Sequence, residues 1–139
     1  MSDQTNIQTV QQAYEAFGRG DIQGVLDMLT QDVTWSMPGP AEIPHAGNRH
    51  GVAGAAEFFR LLNEMDEVLH FEPREFFTKD DKVAVLGRYR ARARATGKVM
   101  DYGWAHIFTV QGGKISSFLE YCDTAAIAAA YRQEAAGAH

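Results

Sequence analysis

The stretch from Tyr102 to Asp123, YGWAHIFTVQGGKISSFLEYCD, restricts the fold more than any other part of this chain. Two runs of alternating character flank Gln111-Gly112-Gly113-Lys114. Glycine takes positive φ without steric penalty, so this tetrad predicts the tight turn of a β-hairpin. Side chains alternate between the faces of a strand. One face of the first strand then carries Tyr102, Trp104, His106, Phe108 and Val110; one face of the second carries Ser116, Phe118, Glu120 and Cys122. If the two share a side of one sheet, an imidazole and a carboxylate sit among aromatic rings. Polar groups in such a setting are either a buried, paired structural element or a site of proton chemistry.

The 139 residues suit one domain, 1–139. A net charge of -5 argues against a nucleic-acid partner, because neutralising phosphates needs a basic face. The single cysteine, Cys122, rules out an intrachain disulfide and a cysteine-based zinc site. No apolar run approaches the roughly 20 residues of a membrane span. The N-terminus, MSDQTNIQ, lacks a basic region followed by an apolar one, so a soluble cytoplasmic protein is expected.

Along the chain, Ile7, Val10, Tyr14 and Phe17 fall at helical spacing and predict a helix over 5–18, ended by Gly18-Arg19-Gly20. Asp21 is suited to cap a short second helix carrying Val25, Leu26, Met28 and Leu29. Thr30-Gln31-Asp32 is read as its break, before a strand over 33–37. The prolines and glycines of 38–49 predict a long loop of the kind that covers or lines a site. A third helix follows over 51–65, with Val52, Ala55, Phe58, Phe59 and Leu62 as its apolar stripe. From Val68 the period becomes two, giving four long strands in a meander. Leu69, Phe71, Phe76 and Phe77 mark the first of them, and Pro73 signals an edge or a bulge. Asp123 caps a final alanine-rich helix over 125–136. Strands arriving as a block after helices indicate α+β with an antiparallel sheet.

The inward face can be chosen on electrostatic grounds. Arg88, Arg90, Arg92 and Arg94 share one face of their strand, and four guanidiniums inside an apolar core would lack partners. That face should look outward, to solvent or to a dimer partner, leaving Val85, Gly87, Tyr89, Ala91 and Ala93 inside.

The helix ending GRGDIQGVLDML, the strand QDVTWSMPGP, the loop PHAGNRHGVAGAAEFF and the closing FTVQGGKISSFLEYCDTAAI occur in an order that resembles SnoaL-like and ketosteroid-isomerase-like members of the nuclear-transport-factor-two-like superfamily. The resemblance implies a cone-shaped, strongly curved antiparallel sheet wrapped around N-terminal helices, the cystatin-like α+β roll. It implies one apolar pocket, no cofactor and a homodimer through the outer sheet face. Known members include isomerases, polyketide cyclases, epoxide hydrolases, dehydratases and non-catalytic binders, so the fold leaves the function open.

His106 falls near the position where the resembling isomerases place an acid that donates to a developing oxyanion. It is a candidate acid/base or oxyanion donor, or else a core histidine satisfied by a carboxylate. Glu120 on the adjacent strand could orient that imidazole, fix its tautomer structurally, or face outward if the register slips by one. Tyr14 could donate to a bound carbonyl, as the isomerases use a tyrosine of this helix, or be a core tyrosine bonded to another side chain. Trp35, Phe58, Tyr89, Trp104, Phe108 and Phe118 are the candidate substrate-lining residues. The isomerases carry an aspartate base just before the proline of the long loop; here Trp35-Ser36-Met37-Pro38 offers no carboxylate. His45 could reach over the pocket mouth instead, or be solvated like His50. The expected activity is proton transfer on a small apolar carbonyl compound, without cofactor or metal. The alternative is a binding module for a hydrophobic ligand or a protein.

Overall fold

The computed structural model describes residues 3–133. The elements are α1 (Asp3–Gly18), α2 (Ile22–Leu26), β1 (Leu29–Met37), β2 (Gly47–His50), α3 (Gly51–Met65), β3 (Asp66–Lys79), β4 (Lys82–Ala93), β5 (Val99–Gln111), β6 (Lys114–Cys122) and α4 (Thr124–Tyr131). Of the expected final helix, residues 134–136 lie outside the described residues.

The strands form one curved, unclosed six-stranded sheet in the order β2-β1-β6-β5-β4-β3. The meander from β3 to β6 is antiparallel throughout. The expected curved antiparallel sheet is found, with one parallel pairing, β6 against β1. The meander curls until its last strand reaches the free edge of β1, and the chain direction there leaves only a parallel pairing. Helix α1 packs against the concave side through Val10, Ala13, Tyr14 and Phe17.

Tertiary pairing overrides local signals at four places. Thr30-Gln31-Asp32 does not break a helix but belongs to β1, because the Ile115 amide bonds the Met28 carbonyl at 2.8 Å and Leu29 pairs with Ile115. The long loop ends in β2, whose Arg49 pairs with Trp35. A bulge between Thr109 and Val110 turns Ile115, not Ser116, into the core. A second irregularity between Val68 and His70 leaves Leu69 exposed while Phe71 packs inward. Pro73 sits on the edge strand beside a third register shift, where its missing N–H costs no ladder bond.

The inward face of β4 is the expected one: Val85, Tyr89, Ala91 and Ala93 are buried. The arginines point out. Arg88 pairs with Asp101 at 2.8 Å, Arg92 with Glu67 at 2.9 Å, and Arg94 donates to the Asn63 carbonyl. Gly87 is the point of close approach. A Cβ there would strike the Trp104 indole and come within 2.5 Å of the Glu72 carbonyl oxygen. Its absence lets Trp104 lie flat across the strand, which sets the floor of the site.

Candidate active site

Between α1, α3 and the concave sheet face lies a cavity with about 70 Å³ of room for the centres of water-sized groups. All nine side chains singled out from the sequence line it: Tyr14, His106 and Glu120, with Trp35, Phe58, Tyr89, Trp104, Phe108 and Phe118. Met37 lines it where the resembling isomerases carry their aspartate, so no carboxylate enters from that point.

The hairpin register places His106 opposite Glu120, and Trp104 opposite Cys122. His106 stacks on Trp104 at 3.9 Å between centroids and meets the edge of Phe118 at 4.7 Å. Its Nδ1 lies 2.8 Å from the Tyr14 hydroxyl, and its Nε2 lies 3.6 Å from Glu120 Oε2. A carboxylate facing Nε2 at this distance favours the tautomer protonated there. Nδ1 then accepts from the Tyr14 phenol. Burial pushes the Tyr14 pKa well up, and Glu120 adds to the shift, so the hydroxyl keeps its proton. In this arrangement the Tyr14 proton is directed at His106, which leaves the phenol oxygen lone pairs for anything entering the cavity. Both partners of the His106–Glu120 contact are shielded, with side-chain exposures of 7% and 13%.

The polar set extends further. Burial raises the Cys122 pKa far above the thiol norm, and the neighbouring Glu120 adds to the shift. Asp66 was missed in the sequence. It is 2% exposed and accepts from the hydroxyls of Tyr89 and Tyr131, at 2.6 and 2.5 Å. Burial raises its pKa, opposed by the two phenols and more weakly by Arg94. Its position at the junction of α3 and β3 reads, in sequence, as a solvated boundary residue. The only available signal was its register opposite Ala93 on an inward face, which needs the strand pairing to be known.

His45 corrects the expectation of a solvated loop residue. It is 2% exposed, and its ring meets Phe58 edge-on at 5.7 Å. The loop is fixed by Arg49, which donates to the carbonyls of Pro44, His45 and Ala46 and pairs with Glu57 on α3 at 3.0 Å. Burial lowers the His45 pKa to about 4, and the nearby Arg49 charge acts in the same direction. The ring is therefore neutral near pH 7. His50, in contrast, is exposed.

Three buried nitrogens of lining residues have no hydrogen-bond partner among the described residues: Trp35 Nε1, Trp104 Nε1 and His45 Nδ1. Among the described residues, no group of three or more His, Cys, Asp or Glu side chains is arranged to hold a metal ion. No helix among them is long and apolar enough to cross a membrane.

Comparison with known proteins agrees with this architecture. An NTF2-like protein from Burkholderia xenovorans is 36% identical, with coverage of 95% of this chain and 99% of that one and a TM-score of 0.86. An NTF2-like protein of unknown function from Burkholderia pseudomallei is 31% identical, covering 96% and 100%, with a TM-score of 0.86. TerC, co-crystallised with polyporic acid, is 26% identical, covering 91% and 98%, with a TM-score of 0.83. The family model described as the SnoaL-like domain matches residues 10–118. The chain belongs to the SnoaL-like domain family, on the NTF2-like fold.

Proposed function

We propose that this protein is a cofactor-independent enzyme that moves a proton on a small, flat, apolar carbonyl compound, as an isomerase, cyclase or dehydratase does. The observation that carries the reading is the shielded Tyr14–His106–Glu120 chain on the wall of a ring-lined cavity. An imidazole between a carboxylate and a phenol can accept the phenol's proton at Nδ1 while the carboxylate beside Nε2 balances the positive charge that forms. The phenol oxygen of Tyr14 takes the proton from the carbon beside the substrate carbonyl as its own proton passes to His106 Nδ1, leaving an enolate. The reverse transfer returns a proton to the product; His106 is the acid/base group and Glu120 orients it. The family supports a small-molecule role of this general kind, and TerC, on the same fold, was co-crystallised with polyporic acid. A ring-sized ligand exceeds the present cavity, so its entry displaces lining side chains.

The test needs no knowledge of the natural product. The protein is incubated in D₂O with 2-tetralone, and deuterium entering the carbon beside the carbonyl is followed by mass spectrometry. Positioned proton transfer is worth about 10²–10⁴-fold, so His106→Ala should slow the catalysed exchange by that order. Binding is read from the fluorescence of the chain's 2 tryptophans, both of which line the cavity. Exchange equal in wild type and variant would refute the assignment. Binding without any catalysed exchange would favour a hydrophobic-ligand carrier.

We further propose that the protein pairs with a second copy through the outer sheet face. Leu86, Ala105 and Tyr121 align across β4, β5 and β6, as do Ala84, Ile107 and Leu119. Leu86 and Tyr121 are 40% and 53% exposed, making an apolar band that a second copy would cover.

A further inference from the structure

The cavity holds a second imidazole that the proton-transfer chain does not use. His45 comes from the loop after β1, His106 from β5, and the rings of Phe58 and Phe118 connect them. The Nδ1 of His45 is buried without a partner among the described residues, although Arg49 and Glu57 fix the backbone there. A buried polar atom left unpaired destabilises the fold and needs a reason. Packing alone gives none: a phenylalanine would make the same contacts with Phe58 and Tyr131 and leave nothing unsatisfied.

We propose that His45 is the binding point for a second oxygen of the ligand, a phenolic or enolic hydroxyl remote from the carbonyl held beside Tyr14 and His106. A neutral imidazole nitrogen accepts from such a hydroxyl. Among the described residues no lysine or arginine lines the cavity, whereas Glu120 does, which disfavours a carboxylate at that end. The substrate class is thereby narrowed from flat carbonyl compounds to hydroxylated ones. This rests on the functional reading above, in which the cavity takes a carbonyl compound.

The test compares 2-tetralone with 6-hydroxy-2-tetralone by tryptophan quenching, in wild type, His45→Phe and His45→Leu. Wild type should bind the hydroxylated ketone about tenfold more tightly, the equivalent of one net hydrogen bond. Both variants should bind the two ketones alike. Equal affinity for the two ketones in wild type, or a preference that survives in both folded variants, overturns the inference. The loss of exchange in His106→Ala is independent of either result, so the functional reading can stand when this one falls. Failure of both ketones to bind overturns both.

Discussion

Lowering the pH should destabilise the protein through His45 in particular, and the size of the effect follows from its burial. The folded-state pKa is held at about 4 against an ordinary 6.5, chiefly by desolvation. The charged and titratable groups near the ring are Arg49, Glu120 and Tyr131; Arg49 lowers the pKa further and Glu120 opposes it. A depressed histidine pKa means that the unfolded chain binds the proton more tightly. The contribution is fully present above pH 6.5 and is lost as pH falls towards 4. Between pH 7.5 and 4.5 the loss amounts to about 2.5 kcal/mol, using about 1.4 kcal/mol per pH unit for each proton taken up. The assay is urea denaturation across that range for wild type and His45→Gln. Other groups, Asp66 among them, titrate in both proteins, so the difference between the two curves isolates His45. The variant should lose about 2.5 kcal/mol less than wild type. Parallel curves would show that the ring is solvated in solution and that the loop does not hold it in the cavity.

Three further outcomes are expected. Gly87→Ala places a methyl against the Trp104 indole and the Glu72 carbonyl, and should cost about 3 kcal/mol in urea denaturation; a neutral result would mean that Trp104 does not lie across β4. Tyr131→Phe removes one of the two donors to Asp66 and should cost about 2 kcal/mol, whereas unchanged stability would show that α4 does not dock through that hydroxyl. Tyr121→Glu places charge in the apolar band on the outer sheet face and should convert a dimer to a monomer in sedimentation velocity; a wild-type monomer, or a variant that stays dimeric, counts against the interface.

Much of the fold was legible because the decisive residues act locally. Asp21 and Asp123 cap their helices through the amides of Gly24 and Ala126, as their chemistry predicts. Gly112 and Gly113, at φ of 60° and 80°, make the hairpin turn that sets His106 opposite Glu120. The arginine strip on β4 settled which face looks inward. What escaped depends on partners distant in sequence. Bulges at Val68–His70 and Thr109–Val110 shift the alternation by amounts that only strand pairing determines. The burial of His45 depends on Arg49 gathering three loop carbonyls, and loop composition alone suggested solvent. Asp66 needed two tyrosines, from β4 and α4, to become tenable inside.

A ligand in the cavity should perturb the imidazole at the hairpin through Tyr14, and nitrogen-15 spectra of histidine side chains during a 2-tetralone titration report on that contact. The free protein should show His106 with a proton on Nε2 and an accepting Nδ1, a resonance pair identified by its loss in His106→Gln. Both resonances should shift with the same dissociation constant as the tryptophan quenching. Saturating quenching with the His106 pair unmoved would place the ligand away from the only proton-transfer chain proposed for this protein, and the account would be wrong.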